Sequence, residues 1–197
     1  MAPLEIASPE NPWVSRGALK LAFGLDHFGF DVRGAVALDL GASTGGFTQV
    51  MLARGASCVY AVDVGRGQMH PSLRDEARVV NIESTNAREL DARLIPEPVD
   101  VIVADVSFIS LKLVLPAAFA FAKPSAKLLV LVKPQFEVGP RGVVKGFVRN
   151  PALREAAVGS VADFIGRSEE WRVLGAAPSP ITGGDGNEEF LLAAQRG

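Results

Sequence analysis

One stretch decides the fold: Val36-Ala37-Leu38-Asp39-Leu40-Gly41-Ala42-Ser43-Thr44-Gly45-Gly46-Phe47-Thr48. An apolar run ends in a loop of small residues, and an apolar pattern with helical spacing follows from Phe47. This order predicts a strand, a tight turn and a helix. Glycines in the turn can adopt backbone angles closed to other residues, and they let a ligand lie against the main chain. Ligands of open α/β sheets bind beyond the carboxyl ends of the strands, so we expect a cofactor at this loop, with Asp39 beneath it.

The spacing of the glycines separates this loop from two other nucleotide-binding loops. Ser43 stands where the dinucleotide motif Gly-x-Gly-x-x-Gly has its second glycine, and no Gly-Lys-Ser/Thr follows as in a P-loop. The pattern is closer to the acidic-x-Gly-x-x-x-Gly loop of class I enzymes that use S-adenosylmethionine (SAM). A turn that only joins a strand to a helix is the alternative. The cofactor contacts predicted here are those of Asp39, Gly41, Ala42, Ser43, Thr44, Gly45, Gly46 and Phe47.

Length and composition indicate one globular domain. The chain has 197 residues, of which 48% are hydrophobic, and its net charge is −2. The chain as a whole is therefore not an electrostatic nucleic-acid binder, and RNA contacts must come from a local patch. Cys58 is the single cysteine, which excludes an internal disulfide and suits a cytoplasmic protein. No signal peptide is predicted, because the start lacks a leader pattern. No membrane span is predicted, because charges interrupt the apolar residues 99–122. No metal site is predicted either.

Strand and helix patterns alternate along the chain. Residues 1–12 are interpreted as an N-terminal arm or linker remnant, and residues 13–197 as one domain. Strands are predicted at 36–40, 58–63, 78–82, 99–105, 127–133, 171–177 and 189–194, and helices at 110–122 and 151–166, besides those that begin near Ser15 and Phe47. The alternation, closed by a hairpin-like pair, predicts an α/β fold of the Rossmann-like, class I SAM-dependent methyltransferase type. Its doubly wound sheet is expected to be mostly parallel with one antiparallel strand.

The first helix carries a candidate catalytic lysine. Ser15 is the predicted N-cap. Leu19, Ala22 and Phe23 are expected to share the buried face, with Lys20 beside it. A lysine in such a position is most often solvated.

Three polar residues outside the glycine loop are further candidates for cofactor contacts: Asp63, Asn86 and Asp105, which ends the fourth strand and is expected to point into the crevice. Asp63 ends the second strand about 20 residues beyond the loop, where an acid accepts hydrogen bonds from a ribose. An ordinary acid at a strand end is the alternative interpretation. Asn86 follows the third strand, where a contact with adenine is expected.

Four charged residues fall where strand ends converge: Lys20, Asp105, Lys133 and Glu189. Two lysines and two carboxylates around one crevice suit the removal of a proton from a weak acid, such as a ribose 2′-hydroxyl. A second cation and desolvation would lower the pKa of Lys133, while the carboxylates would raise it. Lys133 is therefore expected to act either as a neutral base or as a cation that stabilises the developing alkoxide.

A glycine-rich basic loop follows Lys133 directly. From Lys133 to Arg154 there are five basic residues and one acid. Arg141 and Lys145 in this loop, together with Arg16 before the first helix, are candidates for contacts with RNA phosphates. A solvated loop is the alternative.

Six motifs taken in order resemble those of a known family. They are similar, over residues 13–195, to the TlyA family of SAM-dependent rRNA 2′-O-methyltransferases with an FtsJ-like fold, also labelled haemolysins. The motifs are Ser-Arg-Gly-Ala-Leu-Lys-Leu (15–21), Asp-Leu-Gly-Ala-Ser-Thr-Gly-Gly-Phe-Thr (39–48), Ala-Val-Asp-Val-Gly (61–65), Ala-Asp-Val-Ser-Phe-Ile-Ser (104–110), Val-Lys-Pro-Gln-Phe-Glu (132–137) and Gly-Asn-x-Glu-Phe (186–190).

The resemblance implies SAM as the cofactor and a catalytic Lys-Asp-Lys-Glu tetrad of Lys20, Asp105, Lys133 and Glu189. It implies ribosomal RNA or ribosomal subunits as the partner, with a cytidine ribose as methyl acceptor. Family members usually carry an N-terminal RNA-binding domain, and this sequence begins close to the join that follows it. The segment after Phe136 is also shorter than the family's usual loop.

Three other functions are weighed against this one. A membrane-active haemolysin would need an amphipathic or spanning segment, and none is visible. A catalytically idle SAM-binding factor of ribosome assembly would have no reason to keep all four charges. A dinucleotide-dependent oxidoreductase is disfavoured by Ser43 and by the tetrad.

Overall fold

The computed structural model describes residues 12–168 and 170–197. The predicted arm therefore lies, except for Pro12, outside the described residues. The strands are β1 Val36–Leu40, β2 Cys58–Val62, β3 Val79–Ile82, β4 Val99–Ala104, β5 Ala122–Val132, β6 Trp171–Pro178 and β7 Phe190–Arg196. The helices are α1 Gly17–His27, α2 Gly46–Ala53, α3 Pro71–Arg74, α4 Leu111–Phe119, α5 Pro134–Glu137 and α6 Pro151–Gly166, with 3-10 turns at Ala87–Glu89 and Pro140–Gly142.

The seven strands form one sheet in the order β3-β2-β1-β4-β5-β7-β6. Neighbours from β3 through β5 are parallel, and β7 runs antiparallel to both β5 and β6. The prediction of a mostly parallel sheet with one antiparallel strand is confirmed. Strand β2 follows β1 in the sequence and pairs with it on one side, whereas the later strand β4 pairs with β1 on its other side. The topological switch point therefore lies beyond the carboxyl ends of β1 and β4.

The core has one layer on each face of the sheet, because successive strand residues point to opposite faces. Leu38 and Leu40 of β1 pack in the layer that holds α4 and α6, whereas Ala37 packs in the layer that holds α1 and α2. Asp39 shares the face of Ala37. The alternation thus places a carboxyl group inside the core, beneath the helix that follows the glycine loop.

Helix α1 differs from the prediction in its start and in its buried face. It begins at Gly17 after Arg16, without a side-chain cap, so the prediction of Ser15 as N-cap was wrong. The Ser15 hydroxyl instead packs against Gly46 at the start of α2, where an added Cβ would collide with it. The buried residues of α1 are Ala18, Lys20, Leu21, Gly24 and Leu25, whereas Leu19 is exposed. The helix is therefore rotated relative to the predicted face, and Lys20 points inward.

Strand β5 begins earlier and helix α4 ends earlier than predicted. β5 starts at Ala122, which pairs with Val99 of β4 before a register shift, instead of at Lys127. Lys127 and the residues after it pair with β4 and β7 as expected. The additional strand residues lie at the amino end of the sheet, opposite the glycine loop.

Candidate active site

The glycine loop passes so close to neighbouring segments that side chains are excluded at two positions. Gly41 has a φ of +79°, and an added Cβ would lie 2.5 Å from the backbone oxygen of Asp105. Gly45 has a φ of +97°, and an added Cβ would collide with Leu73 and Met69. The loop is therefore pressed against the segment after β4 on one side and against the α3 segment on the other. The two glycines therefore permit the close packing that fixes the loop at the switch point.

Asp63 fastens the loop after β2 to the glycine loop. Its Oδ2 accepts a hydrogen bond from the Ser43 N–H at 2.8 Å, and its Oδ1 accepts one from the Gly65 N–H at 2.7 Å. Asp63 is only half-buried. Each carboxylate oxygen has a second lone pair. The position and the remaining acceptor capacity of Asp63 fit the binding of ribose hydroxyls.

Asp39 lies beneath the glycine loop and is fully buried. Its Oδ2 accepts a hydrogen bond from the Thr48 hydroxyl at 2.6 Å, and its Oδ1 has no hydrogen-bond partner among the described residues. Burial raises the pKa of Asp39 to about 7, and the charges of Asp105 and Asp63 add to the effect. In this arrangement Asp39 ties β1 to α2 from below.

The four residues of the predicted tetrad form two close lysine–carboxylate pairs. Lys20 Nζ lies 2.5 Å from Glu189 Oε2, and the two side chains are 8% and 3% exposed. Lys133 Nζ lies 2.6 Å from Asp105 Oδ1, and those side chains are 11% and 21% exposed. Lys133 Nζ also lies 2.8 Å from the Ser107 hydroxyl.

The sheet brings these pairs to one edge. Asp105 directly follows β4, and its N–H donates to the Leu40 carbonyl at the end of β1. Lys133 directly follows β5, and Glu189 directly precedes the antiparallel β7, whose first residue Phe190 pairs with Val132. All three therefore lie at the edge that holds the glycine loop.

Helix α1 carries Lys20 to the same place. Gly17 lies one turn before Lys20, and an added Cβ there would be 3.6 Å from Asp105 Oδ2. On the other side of the pair, Gly183 packs against the Glu189 carboxylate, because an added Cβ would lie 2.5 Å from Oε1. Two ion pairs thus lie at the edge of the sheet that holds the glycine loop.

Asn86 has a local structural role in addition to the predicted contact with adenine. Its side-chain oxygen accepts a hydrogen bond from the Arg88 N–H at 3.1 Å and caps the turn Ala87–Glu89. The preceding residue, Thr85, donates its N–H to the Asp63 carbonyl. Asn86 therefore lies near Asp63, and its contact with adenine stays a prediction.

The three predicted RNA contacts are all exposed. Arg16 Nη2 donates to the Thr182 carbonyl at 3.0 Å. Lys145 is followed by Gly146, whose carbonyl accepts a hydrogen bond from Asn187 Nδ2 at 3.0 Å. Segment 182–187, which leads into Glu189, thus has Arg16 at one end and the Lys145 loop at the other. Arg141 lies on the exposed turn that precedes this loop.

The sequence analysis missed two residues of the site, Ser107 and Phe108. Phe108 is 90% exposed, and its φ of +64° lies in the left-handed region that aromatic residues rarely adopt. Its ring centroid lies 5.2 Å from that of Phe136. The available signal was an aromatic residue three positions after the strand-end Asp105, where the core has already ended. Its backbone conformation carries no such signal in the sequence.

Glu137 joins the two segments that hold the second ion pair. Its Oε2 accepts a hydrogen bond from the Ser110 hydroxyl at 2.6 Å, and its Oε1 accepts one from the Leu111 N–H at 2.8 Å. The single acid of the basic stretch therefore anchors the Lys133 segment to the start of α4.

The strand order and a glycine loop at the switch point define the fold of class I methyltransferases. A family model described as FtsJ-like methyltransferase matches residues 13–196. The chain belongs to this family, whose members depend on SAM.

Individual relatives agree with this assignment. A 16S/23S rRNA (cytidine-2′-O)-methyltransferase, TlyA, of Mycobacterium tuberculosis is 49% identical over 95% of this chain and 70% of its own length. Hemolysin A of Brachyspira hyodysenteriae is 40% identical over 91% of this chain and 75% of its own length. A solved structure from Lactococcus lactis, which carries a provisional hemolysin name, matches with a TM-score of 0.90 and 39% identity, covering 94% of this chain and 89% of that one. Among the helices of the described residues, none has the length and hydrophobicity to span a bilayer.

Proposed function

We propose that this methyltransferase modifies a ribose 2′-hydroxyl of a cytidine in ribosomal RNA, and that Lys20, Asp105, Lys133 and Glu189 carry the reaction. The supporting observation is the pair of lysine–carboxylate contacts beside the cofactor loop. The name of the M. tuberculosis relative supports rRNA as substrate and cytidine as acceptor. Because ribosomal subunits are the proposed substrate, the reaction is expected to take place in the cytoplasm.

The crevice has the features that a SAM site needs. The glycine loop lies at the switch point, packed against the segment after β4 and against the α3 segment, and Asp63 offers carboxylate oxygens for the ribose hydroxyls. Asn86 is the proposed contact with adenine. Bound SAM supplies an electrophilic methyl group at this crevice.

The reaction requires a proton acceptor, because the attacking hydroxyl must lose its proton as the new oxygen–carbon bond forms. We assign that task to the Lys133 amine. Asp105 and Ser107, at 2.6 and 2.8 Å, fix the direction of the amine. Lys20, which is paired with Glu189, stabilises the negative charge that develops on the hydroxyl oxygen.

RNA is expected to approach over the rim formed by Arg16, Arg141 and Lys145. These side chains are exposed while the chain as a whole is slightly acidic. Phosphate contacts of this kind position the strand without reading its sequence. The exposed ring of Phe108 then offers a surface on which a base of the unstacked nucleotide can lie.

The proposal is tested by transfer of labelled methyl from SAM to isolated ribosomal subunits and to naked rRNA. The product is digested with alkali, which cannot cleave beside a 2′-O-methyl group. Label in alkali-resistant dinucleotides that contain cytidine supports the proposal. Label that is released with mononucleotides means methylation of a base and contradicts it.

A catalytically idle SAM-binding factor would give a different result. It would bind S-adenosylhomocysteine normally and transfer no label to any ribosomal substrate. The same preparation therefore needs a binding measurement by calorimetry alongside the transfer assay.

A further inference from the structure

Glu83 lies outside the predicted site, yet it holds one of the site's loops. It directly follows β3, and its carboxylate accepts three backbone hydrogen bonds from the loop after β2. The donors are the N–H groups of Gly67 at 2.5 Å, Gln68 at 2.9 Å and Met69 at 3.1 Å. The Met69 and Gly67 N–H groups lower the pKa of the Glu83 carboxyl below its usual range. The side chain therefore stays charged, and its hydrogen bonds are of the stronger, charge-assisted kind.

The same loop is joined to the segment after β3 at two more points. The Ser84 N–H donates to the Gly65 carbonyl at 2.8 Å, and the Thr85 N–H donates to the Asp63 carbonyl at 2.9 Å. Residues 63–69 form no helix or strand of their own. Their conformation therefore depends on these contacts, and Glu83 supplies three of them.

The position of this loop sets the position of the glycine loop. Met69 and Leu73 pack so closely on Gly45 that a Cβ there would collide with both. The His70 N–H donates to the Thr44 carbonyl at 3.2 Å, and the Ser43 N–H donates to Asp63 at 2.8 Å. A displaced loop 63–69 would therefore move the Asp63 carboxylate and remove the support of the glycine loop.

We propose that Glu83 is a positioning residue for the cofactor, acting as a latch that holds loop 63–69 in the shape that binds SAM. This proposal rests on the proposed function only because it takes SAM as the ligand bound beside the glycine loop. It acts on binding and not on methyl transfer, because Glu83 follows β3 whereas the Lys133–Asp105 pair follows β4 and β5. A loop that adopts the binding shape for a tenth of the time weakens the affinity about tenfold.

The first test measures the affinity for S-adenosylhomocysteine by calorimetry in three variants. Glu83→Ala raises the Kd by on the order of tenfold, because all three hydrogen bonds are lost. Glu83→Gln raises it less, since its one carbonyl oxygen can still accept from Gln68 and Met69 while its amide group faces the Gly67 N–H. Glu76→Ala leaves the Kd unchanged, because the Glu76 carboxylate bonds to Arg78 and not to the loop. The turnover rate of Glu83→Ala at saturating SAM equals that of the wild type.

The second test needs neither cofactor nor substrate. Arg66 is exposed within the loop, so trypsin cleavage after Arg66, followed by mass spectrometry, reports whether the loop opens. Cleavage there is faster in Glu83→Ala than in Glu76→Ala, at equal helix content by circular dichroism. This readout also distinguishes failure of the proposed function from failure of the latch. A wild type that does not bind S-adenosylhomocysteine contradicts the proposed function. Faster cleavage in Glu83→Ala still supports the latch as a structural device.

An unchanged Kd in Glu83→Ala overturns the proposal whatever the protease shows, because the loop would then not govern binding. A normal Kd with a reduced rate at saturating SAM overturns it equally, since Glu83 would then act on the transfer step.

Discussion

Lys20 Nζ donates a hydrogen bond to Glu189 Oε2 across 2.5 Å, although 169 positions separate the two residues in the sequence. Both side chains are almost completely buried. Removing one member of a buried ion pair leaves an uncompensated charge, which is far more costly than the net value of the pair itself. The contact therefore links the first helix of the domain to its last strand, at the edge that holds the cofactor loop.

Glu189→Gln is expected to lower the free energy of unfolding by about 3 kcal/mol, because it leaves the Lys20 charge buried without a counter-charge. Urea denaturation at pH 7 measures the change. Methyl transfer is expected to fall in the same variant.

The double variant Lys20→Met, Glu189→Leu separates stability from catalysis. Apolar residues of similar volume are expected to restore most of the stability that Glu189→Gln loses. Methyl transfer stays lost. A double variant that regains activity together with stability would show that the pair is structural only.

Asp39→Asn is expected to change how stability depends on pH. Burial raises the pKa of Asp39 to about 7, above its value in the unfolded chain. Between the two pKa values the folded protein holds a proton that the unfolded chain has released, so the wild type loses stability as the pH rises toward 7. Above about pH 7 the loss is complete.

The amide side chain of the Asp39→Asn variant does not titrate, so this variant has no such slope. The free energy of unfolding of the wild type, measured relative to Asp39→Asn, should therefore fall between pH 5 and pH 8. Urea denaturation of both proteins at these two pH values measures the difference. Parallel stability curves would mean that Asp39 is ionised in its buried position.

Phe108→Gly is expected to stabilise the protein and to weaken its activity. The left-handed backbone at Phe108 costs about 1 kcal/mol that glycine does not incur. The exposed ring makes few contacts that would offset the gain. Loss of the stacking surface should reduce kcat/KM for rRNA by roughly 5- to 150-fold, because stacking contributes about 1–3 kcal/mol per base.

Ser125→Gly is the matched control, because Ser125 is exposed, has the same φ of +64° and lies near the start of β5, at the other end of the sheet. It should gain similar stability by thermal denaturation and keep full activity. Normal kcat/KM in Phe108→Gly would exclude a role for the ring in binding RNA.

The next prediction concerns the positive charges of the rim formed by Arg16, Arg141 and Lys145. Arg16→Glu and Lys145→Glu should weaken rRNA binding and reduce the slope of log K against log salt by about one each, because each loses a phosphate contact. Filter binding over a range of salt concentrations measures both quantities. Arg33→Glu is the control, since Arg33 is also exposed but precedes β1 at the opposite edge of the sheet. Equal losses in all three variants would mean that RNA responds to the overall charge of the protein and does not bind along the proposed rim.

Much of the site could be predicted because the fold converts sequence position into spatial position. Asp63, Asp105 and Lys133 each follow a parallel strand, and parallel strands end at one edge. The glycine loop was equally predictable, because its strand, turn and helix are local patterns.

The missed features depend on contacts that are distant in sequence. The buried face of α1 was mispredicted because the partner that makes burial of Lys20 possible is Glu189. The left-handed backbone of Phe108 and the loop held by Glu83 follow from packing between loops. No local pattern of hydrophobicity reports such contacts.

The central claim, that Lys133 accepts the hydroxyl proton, is tested most directly by comparing Lys133→Ala with Lys133→Arg. Arginine keeps the positive charge but cannot serve as a base. The measurement is the rate of labelled methyl transfer into alkali-resistant rRNA dinucleotides at saturating SAM, with calorimetric affinity for S-adenosylhomocysteine on the same preparations. Both variants are expected to lose about 10²–10⁴-fold in rate and to keep the wild-type affinity. Substantial activity in Lys133→Arg would contradict the claim, because a cation alone would then suffice.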